Sequence, residues 1–192
     1  LMADVTERLT DAREGAERMA AVVKRMRTFS RADETETRSV DLRSVLESVI
    51  ELVGHEVHHR GRLATRFEDV PPIQANESRV EQICLGLLIF AARMLPDDGR
   101  ATREVRLSLH LDEKHQAVIE VICDGCQLSP EEIDRLFDPF AAHDEARSAG
   151  FGLSVCKSLV DQLGGHISAE SLPGTGLALR AASRARSRSP RS

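Results

Sequence analysis

Apolar and polar residues recur along this chain with different periods, and each period marks a different kind of element. Near the start, Val5, Leu9, Ala12, Ala16, Met19, Val23 and Met26 recur at alternating steps of four and three, with Asp, Glu, Arg and Lys between them. That is a heptad seam about three heptads long. So narrow a stripe fits a partner helix or a four-helix bundle better than a sheet, and a homodimer through residues 5–26 is expected. The polar run Arg31–Arg38 breaks the pattern, so residues 32–40 read as a linker. Asp41 then stands as an N-cap ahead of Leu42, Val45, Leu46, Val49, Ile50, Val53 and Val57. That wider stripe suits a helix lying on a sheet.

Farther on the period shortens. Leu63–Phe67 and Ile73–Ala75 read as strands on either side of Pro71-Pro72. Glu77–Leu95 reads as a helix with Val80, Ile83, Leu87, Ala91 and Met94 inward. Val105, Leu107, Leu109 and Leu111 alternate with polar residues, and Val118–Ile122 continues as a strand after a turn at Lys114-His115. Pro130–Phe137 reads as a short helix and residues 141–149 as a loop that could close as a lid. Gly150–Leu163 reads as a helix ended by Gly164-Gly165. His166–Ser171 and Leu177–Ala182 form a hairpin around Pro173-Gly174-Thr175-Gly176. The expected fold class is α+β: a two-layer α/β sandwich with mostly antiparallel strands, preceded by a long heptad helix.

Composition narrows the function. The chain has 192 residues, 41% hydrophobic and 30% charged, enough for one globular domain and an extra element. No apolar run approaches the roughly 18 residues of a membrane span. The N-terminus shows neither a basic start nor an apolar stretch, so no leader and a cytoplasmic location are expected. Four cysteines without a regular framework point to a reducing compartment. The net charge is −5, and the arginines of the tail Ser183–Ser192 leave the rest more acidic still. An acidic body argues against nucleic-acid binding by the folded part, and the lack of Trp and Tyr removes the usual stacking platforms. The tail, residues 183–192, reads as disordered and solvated, with RNA or an acidic membrane as its alternative contacts.

Two short patterns carry candidate chemistry. His55-Glu56-Val57-His58-His59 spells the zinc-protease signature HExxH. However, His55 lies about 200° and His59 about 240° round the helix from Val53, away from the core stripe, and no third ligand follows. A solvated helix end is the plainer reading. Cys123-Asp124-Gly125-Cys126 is a CxxC: a redox pair, half of a zinc site, or two incidental thiols. The lack of a second CxxC or a nearby Cys-His pair favours the last.

From Gln82 onward the order of motifs resembles the ATP-binding domain of sensor histidine kinases, in the GHKL superfamily with its Bergerat-type ATPase fold. Leu136-Phe-Asp-Pro-Phe140 is similar to the family's IFxPF. The stretch from Gly150-Phe-Gly-Leu to Gly164-Gly-His-Ile167 is similar to GLGLxIVKxxVxxxGGxI, and Pro173–Gly176 to the next glycine turn. Upstream, Ala16-Glu-Arg-Met19 and Arg27-Thr-Phe-Ser-Arg31 resemble the second helix of the dimerisation and phosphotransfer hairpin. The resemblance covers about residues 10 to 182. It implies a dimerisation-type helix over 1–31, a linker over 32–40, an ATP-binding-type domain over 41–182 and a basic tail. It also implies ATP and magnesium as cofactors and a response regulator or kinase domain as partner. Matched cofactor-binding positions are Arg93, Asp124, Gly125, Gly150, Gly152, Gly174, Thr175 and Gly176. Physically, Gly150 and Gly152 open a helix whose N-terminus attracts phosphate.

Several family positions are altered. Gly86 and Phe90 stand where the asparagine box has its two asparagines, the second of which holds magnesium in the family. A phenyl ring offers no oxygen to a hard cation. Cys123 stands where the family's aspartate accepts from the adenine amino group, and a thiol is a weak acceptor. Asp124 is a poor substitute, because a slip of one residue turns a side chain to the opposite face. Gln127 replaces the second glycine of that box and Ser148 a glycine at the end of the lid. The phospho-accepting histidine that the resemblance implies on a preceding helix is missing, so either the chain is a fragment or the protein lacks that helix, and no catalytic residue or metal ligand is assigned. The expectation is a degenerate histidine-kinase-like protein of a two-component phosphorelay, binding ATP weakly or not at all and acting as a dimeric scaffold or docking partner. The alternatives are a fragment of an active kinase and, more remotely, a redox or zinc module through Cys123 and Cys126.

Overall fold

A computed structural model describes residues 36–95, 103–138 and 153–184, without the side chains at 55, 56, 58 and 59. The heptad seam, the loop at 141–149, Ser148, Gly150, Gly152 and the tail beyond Arg184 lie outside the described residues.

The elements run β1 (Arg38–Val40), α1 (Leu42–Arg60), β2 (Arg62–Phe67), β3 (Ile73–Ala75), α2 (Glu77–Met94), β4 (Glu104–Leu111), β5 (Gln116–Asp124), α3 (Pro130–Asp134), α4 (Leu153–Gln162), β6 (His166–Leu172) and β7 (Gly176–Arg184). The helix starts follow from local chemistry. The Asp41 carboxylate accepts from the Arg43 amide at 3.0 Å. Asn76 accepts from the Arg79 amide at 3.1 Å. Ser129 and Glu132 cap α3 reciprocally, with Pro130 in its first turn. Each satisfies a backbone donor that the helix start leaves without an internal partner.

Five described strands form one sheet in the order β2-β4-β5-β7-β6, and β1 pairs antiparallel with β3 beside it. β2 is parallel to β4, and the other pairings of the large sheet are antiparallel. Register puts the apolar residues in rows. Val105, Cys123 and Leu177 lie side by side, as do Leu107, Val121 and Leu179. All six are buried. They form the core face, against which α1, α2 and α4 pack, and α1 contributes Val45, Leu46, Val49, Val53 and Val57 to the same core. This is the expected α/β sandwich.

The alternate residues point to the other face and carry its polar contacts. Arg180 bonds to Glu120 and to Glu170, each at 2.6 Å. Its bond to Glu170 and then that to Glu120 hold the guanidinium above its ordinary pKa. Several boundaries differ from the sequence reading: α3 ends at Asp134 rather than Phe137, β5 runs Gln116–Asp124 rather than Val118–Ile122, and two domain limits move. Residues 38–40, expected within a linker, form β1, and β7 continues through Ser183 and Arg184, expected within the tail. β1 is short and mostly polar, with only Val40 buried, so periodicity gives it no signal.

Candidate nucleotide-binding site

The end of β5, the C-terminal half of α2 and the β6–β7 turn carry the family positions that lie among the described residues. β5 leaves the sheet at Asp124, and Gly125 takes a φ of +69°, where a side chain would be strained. The Gly125 amide donates to the Thr175 carbonyl at 2.9 Å, tying the end of β5 to the turn between β6 and β7. Thr175 donates in turn to the Leu172 carbonyl at 3.0 Å, and Gly174 takes a φ of +75°. At Gly176, with φ +154°, a Cβ would run into the Cys123 carbonyl. Gly125, Gly174, Thr175 and Gly176 therefore belong to one backbone-built corner.

The side chains around that corner separate by face. Cys123 is 1% exposed and shares its row with Val105 and Leu177 on the helix side. Asp124, the next residue, turns to the open side, where an Asp124 carboxylate oxygen lies 3.3 Å from the Arg106 guanidinium. Gln127 is exposed. Cys126 is buried and paired with Cys123 across a Cα–Cα distance of 5.8 Å, and its Sγ lies 3.2 Å from the Met94 carbonyl at the end of α2.

On α2, Gly86 is half-buried, Phe90 is 7% exposed and belongs to the main core cluster, and Arg93 lies in the last turn, half-buried and engaged with a partner. Two residues here escaped the sequence reading. Gln82 lies four residues before Gly86 and eight before Phe90, and its buried Nε2 has no hydrogen-bond partner. The spacing of four is its only signal. The Arg103 guanidinium lies against Gly125, where a Cβ would otherwise sit, and nothing in the sequence around Arg103 marks it.

Magnesium needs oxygen ligands and the adenine amino group needs an acceptor. Phe90 and Cys123, both buried, supply neither well. Gln82 adds an amide donor suited to a phosphate oxygen and no anionic ligand. The residues present fit the sugar-phosphate end of a nucleotide better than its metal or its base.

The comparisons bear on the fold and on the family. Residues 75–184 match the family described as histidine kinase-, DNA gyrase B- and HSP90-like ATPase. Over 164 residues the chain is 30% identical to the sensor histidine kinase ZraS of Klebsiella oxytoca, spanning 84% of this chain and 34% of that protein. It is 31% identical to the sensor protein CutS of Streptomyces coelicolor, spanning 85% of this chain and 40% of CutS. Sensor kinase CckA of Brucella abortus is 27% identical over 85% of this chain and 19% of its own length. The chain thus spans between about a fifth and two fifths of these relatives. Among solved structures, full-length ShkA in complex with AMPPNP superposes with a TM-score of 0.69 over 91% of this chain and 37% of its own, at 23% identity. The mycobacterial sensor histidine kinase MprB gives 0.65 over 79% of this chain and all of its own, at 19% identity. At those identities the superpositions speak for the fold, and the family match speaks for descent. With that match covering more than half of the residues, the chain belongs to the histidine kinase-, DNA gyrase B- and HSP90-like ATPase family.

Proposed function

We propose that this chain is the ATPase-fold part of a histidine-kinase-like protein of a two-component phosphorelay, with a nucleotide site degenerate enough that Mg-ATP binds weakly or not at all. The observation that carries the reading is the split at the end of β5. The helix-facing position is a buried cysteine, and the neighbouring carboxylate is turned to the open face beside Arg106. Burial of Phe90 supports it from the other side of the site. In an active member, bound Mg-ATP supplies the γ-phosphoryl, and the protein contributes positioning and charge stabilisation. Here Arg93, Gly125, Gly174, Thr175 and Gly176, with Gly150 and Gly152, would hold the phosphate end, while the metal and adenine anchors at Phe90 and Cys123 are lost. Gly86, Gln127 and Ser148 add to the same loss.

In this reading the chain works as a dimeric scaffold, through residues 5–26, that docks a kinase or response-regulator domain on the cytoplasmic side of a signalling system. The naming of its relatives ZraS and CckA as sensor kinases supports that setting. The domain division 1–31, 32–40, 41–182 and 183–192 belongs to the same proposal, with the linker shortened by β1.

Calorimetric titration with ATP, with and without magnesium, tests it. Loss of the adenine acceptor costs about 1–3 kcal/mol. With the metal ligand also gone, affinity falls at least about a hundredfold relative to an intact site, with no gain from magnesium. Low-micromolar, magnesium-dependent binding would replace this reading with that of an active kinase fragment. The backbone-built glycine corner is the observation that favours that second reading.

A further inference from the structure

The CxxC at the end of β5 has a geometry that the nucleotide reading does not use. We propose that Cys123 and Cys126 are a redox modification site: a thiol pair that hydrogen peroxide closes to an intramolecular disulfide and a dithiol reopens, with oxidation releasing a hold on the end of α2.

Three observations carry this. The two Cα atoms are 5.8 Å apart, within the separation a disulfide spans, and the structure brings the two sulfurs together. Gly125 between them takes a φ of +69°, which lets the chain double back so that both side chains reach the same side. The Cys126 Sγ also lies 3.2 Å from the Met94 carbonyl. That carbonyl is in the last turn of α2, where backbone acceptors have no partner within the helix. As a thiol, Cys126 donates its proton there. As half of a disulfide it has no proton to donate.

The site favours a small oxidant. Cys123 and Cys126 are 1% and 2% exposed, so a bulky disulfide cannot reach either sulfur without a larger opening than hydrogen peroxide needs. The pair sits where a strand ends and a short connection to α3 begins, so local opening gives access without global unfolding. The thiolate of one cysteine attacks a peroxide oxygen, the O–O bond breaks, hydroxide leaves and a sulfenic acid forms. The second sulfur then attacks the sulfenic sulfur, the S–O bond breaks and water leaves. Two thiols lose two electrons and two protons, and one peroxide becomes two waters. A dithiol such as dithiothreitol reverses the bond by exchange and is itself oxidised.

The other two cysteines provide an internal control. Cys84 and Cys156 are buried in the α2 and α4 layer as free thiols, and burial pushes Cys84 up and Cys156 up to about 12. Burial disfavours their thiolates, and they stand as free thiols, whereas Cys123 and Cys126 are brought together.

The test is thiol labelling of the reduced full chain before and after peroxide, with labelling under denaturing conditions and peptide mapping. No nucleotide is present, so the outcome is independent of how tightly ATP binds. The expected result is loss of two of four labels, an internal bridge in the peptide that contains residues 123–126, and return of both labels with dithiothreitol. Hydrogen exchange should rise about fivefold in the C-terminal turn of α2 on oxidation, the effect of one lost hydrogen bond. Cys126→Ser should form no bridge with peroxide and should keep slow exchange, because the hydroxyl still donates to Met94. Four labels retained by the wild type, or a bridge mapped to Cys84 and Cys156, would overturn the site. A bridge at 123–126 with unchanged exchange would overturn the coupling to α2. The wild-type map is decisive even where the variant does not fold.

Discussion

At the corner where β5 meets the β6–β7 turn, the site is built from backbone: three glycines at positive φ, an amide bonded to the Thr175 carbonyl, and a strand pressed so close at Gly176 that no side chain fits. Across from it, α2 meets the same region with side chains, and these are a phenyl ring in the core, a glycine and a half-buried arginine. The corner also holds the sheet's register, so altering it damages the fold. On α2, by contrast, side chains meet this region, and a ring such as Phe90 strengthens the core there without touching the sheet's register. On the function proposed above, the family fold persists with its glycine turn intact after its metal and base anchors have gone.

The sharpest way to break that contrast is at Phe90. If the ring is core, Phe90→Asn removes its packing and buries an amide, at a cost of about 3–5 kcal/mol. Urea denaturation reads this directly. A loss under about 1 kcal/mol would mean that the position lines a cleft and still has room for a metal ligand.

Next in size is the corner itself. Gly176→Ala drives a Cβ into the Cys123 carbonyl at a φ that favours glycine, so the backbone must move, at about 2–4 kcal/mol. Gly174→Ala meets nothing within reach and carries only the strain of its positive φ, about 1–2 kcal/mol. Thermal melts of the two variants side by side measure the difference. Equal losses would show that turn conformation alone, rather than close approach, holds the corner.

The sequence makes the corner more legible than the helix side. Gly125, Gly174 and Gly176 show in the sequence because only glycine suits those conformations, and the alternation along β4 and β5 predicts both strands and their core faces. Alternation also separates Cys123 from Asp124, which the structure turns to opposite sides of the sheet. β1 could not be read, since three residues with one buried side chain carry no period. The parallel pairing of β2 with β4 joins segments that lie far apart in the chain, and no local pattern announces it. Arg103, just ahead of β4, reaches Gly125 from a segment distant in the chain, which no local pattern announces either.

A third measurement sharpens the picture of the helix layer as core. Cys156 and Cys84 are buried free thiols, and burial holds Cys156 at about 12 against an ordinary value of 9.0. A raised value means that the folded state keeps a proton that the unfolded chain releases. The stabilisation is complete below pH 9 and is lost as pH rises toward the folded value. Each such thiol lowers stability by about 1.4 kcal/mol per pH unit in that window. Cys156→Ala should therefore flatten the fall in stability between about pH 9 and 10.5 by roughly 1–2 kcal/mol, read by urea denaturation at each pH. An unchanged slope would mean that the thiol is reached by water in the native state.

The smallest effect expected is at Asp124, and it probes the face assignment most directly. Its carboxylate meets Arg106 on the open side of the sheet, with the two side chains 35% and 43% exposed. An ion pair so accessible to water is worth about 0–1 kcal/mol and weakens further with salt. Asp124→Asn should therefore cost no more than that in a denaturation midpoint, and 0.5 M salt should bring wild type and variant about together. It should also leave any residual ATP affinity unchanged, because a side chain on the open face cannot reach a base held on the helix side. The result that would break the comparison is a tenfold or larger loss of ATP binding in Asp124→Asn with little change in stability. It would mean that the end of β5 rotates when nucleotide binds, that Asp124 takes the acceptor position held by Cys123 in this structure, and that the base anchor of the family has moved by one residue rather than been lost.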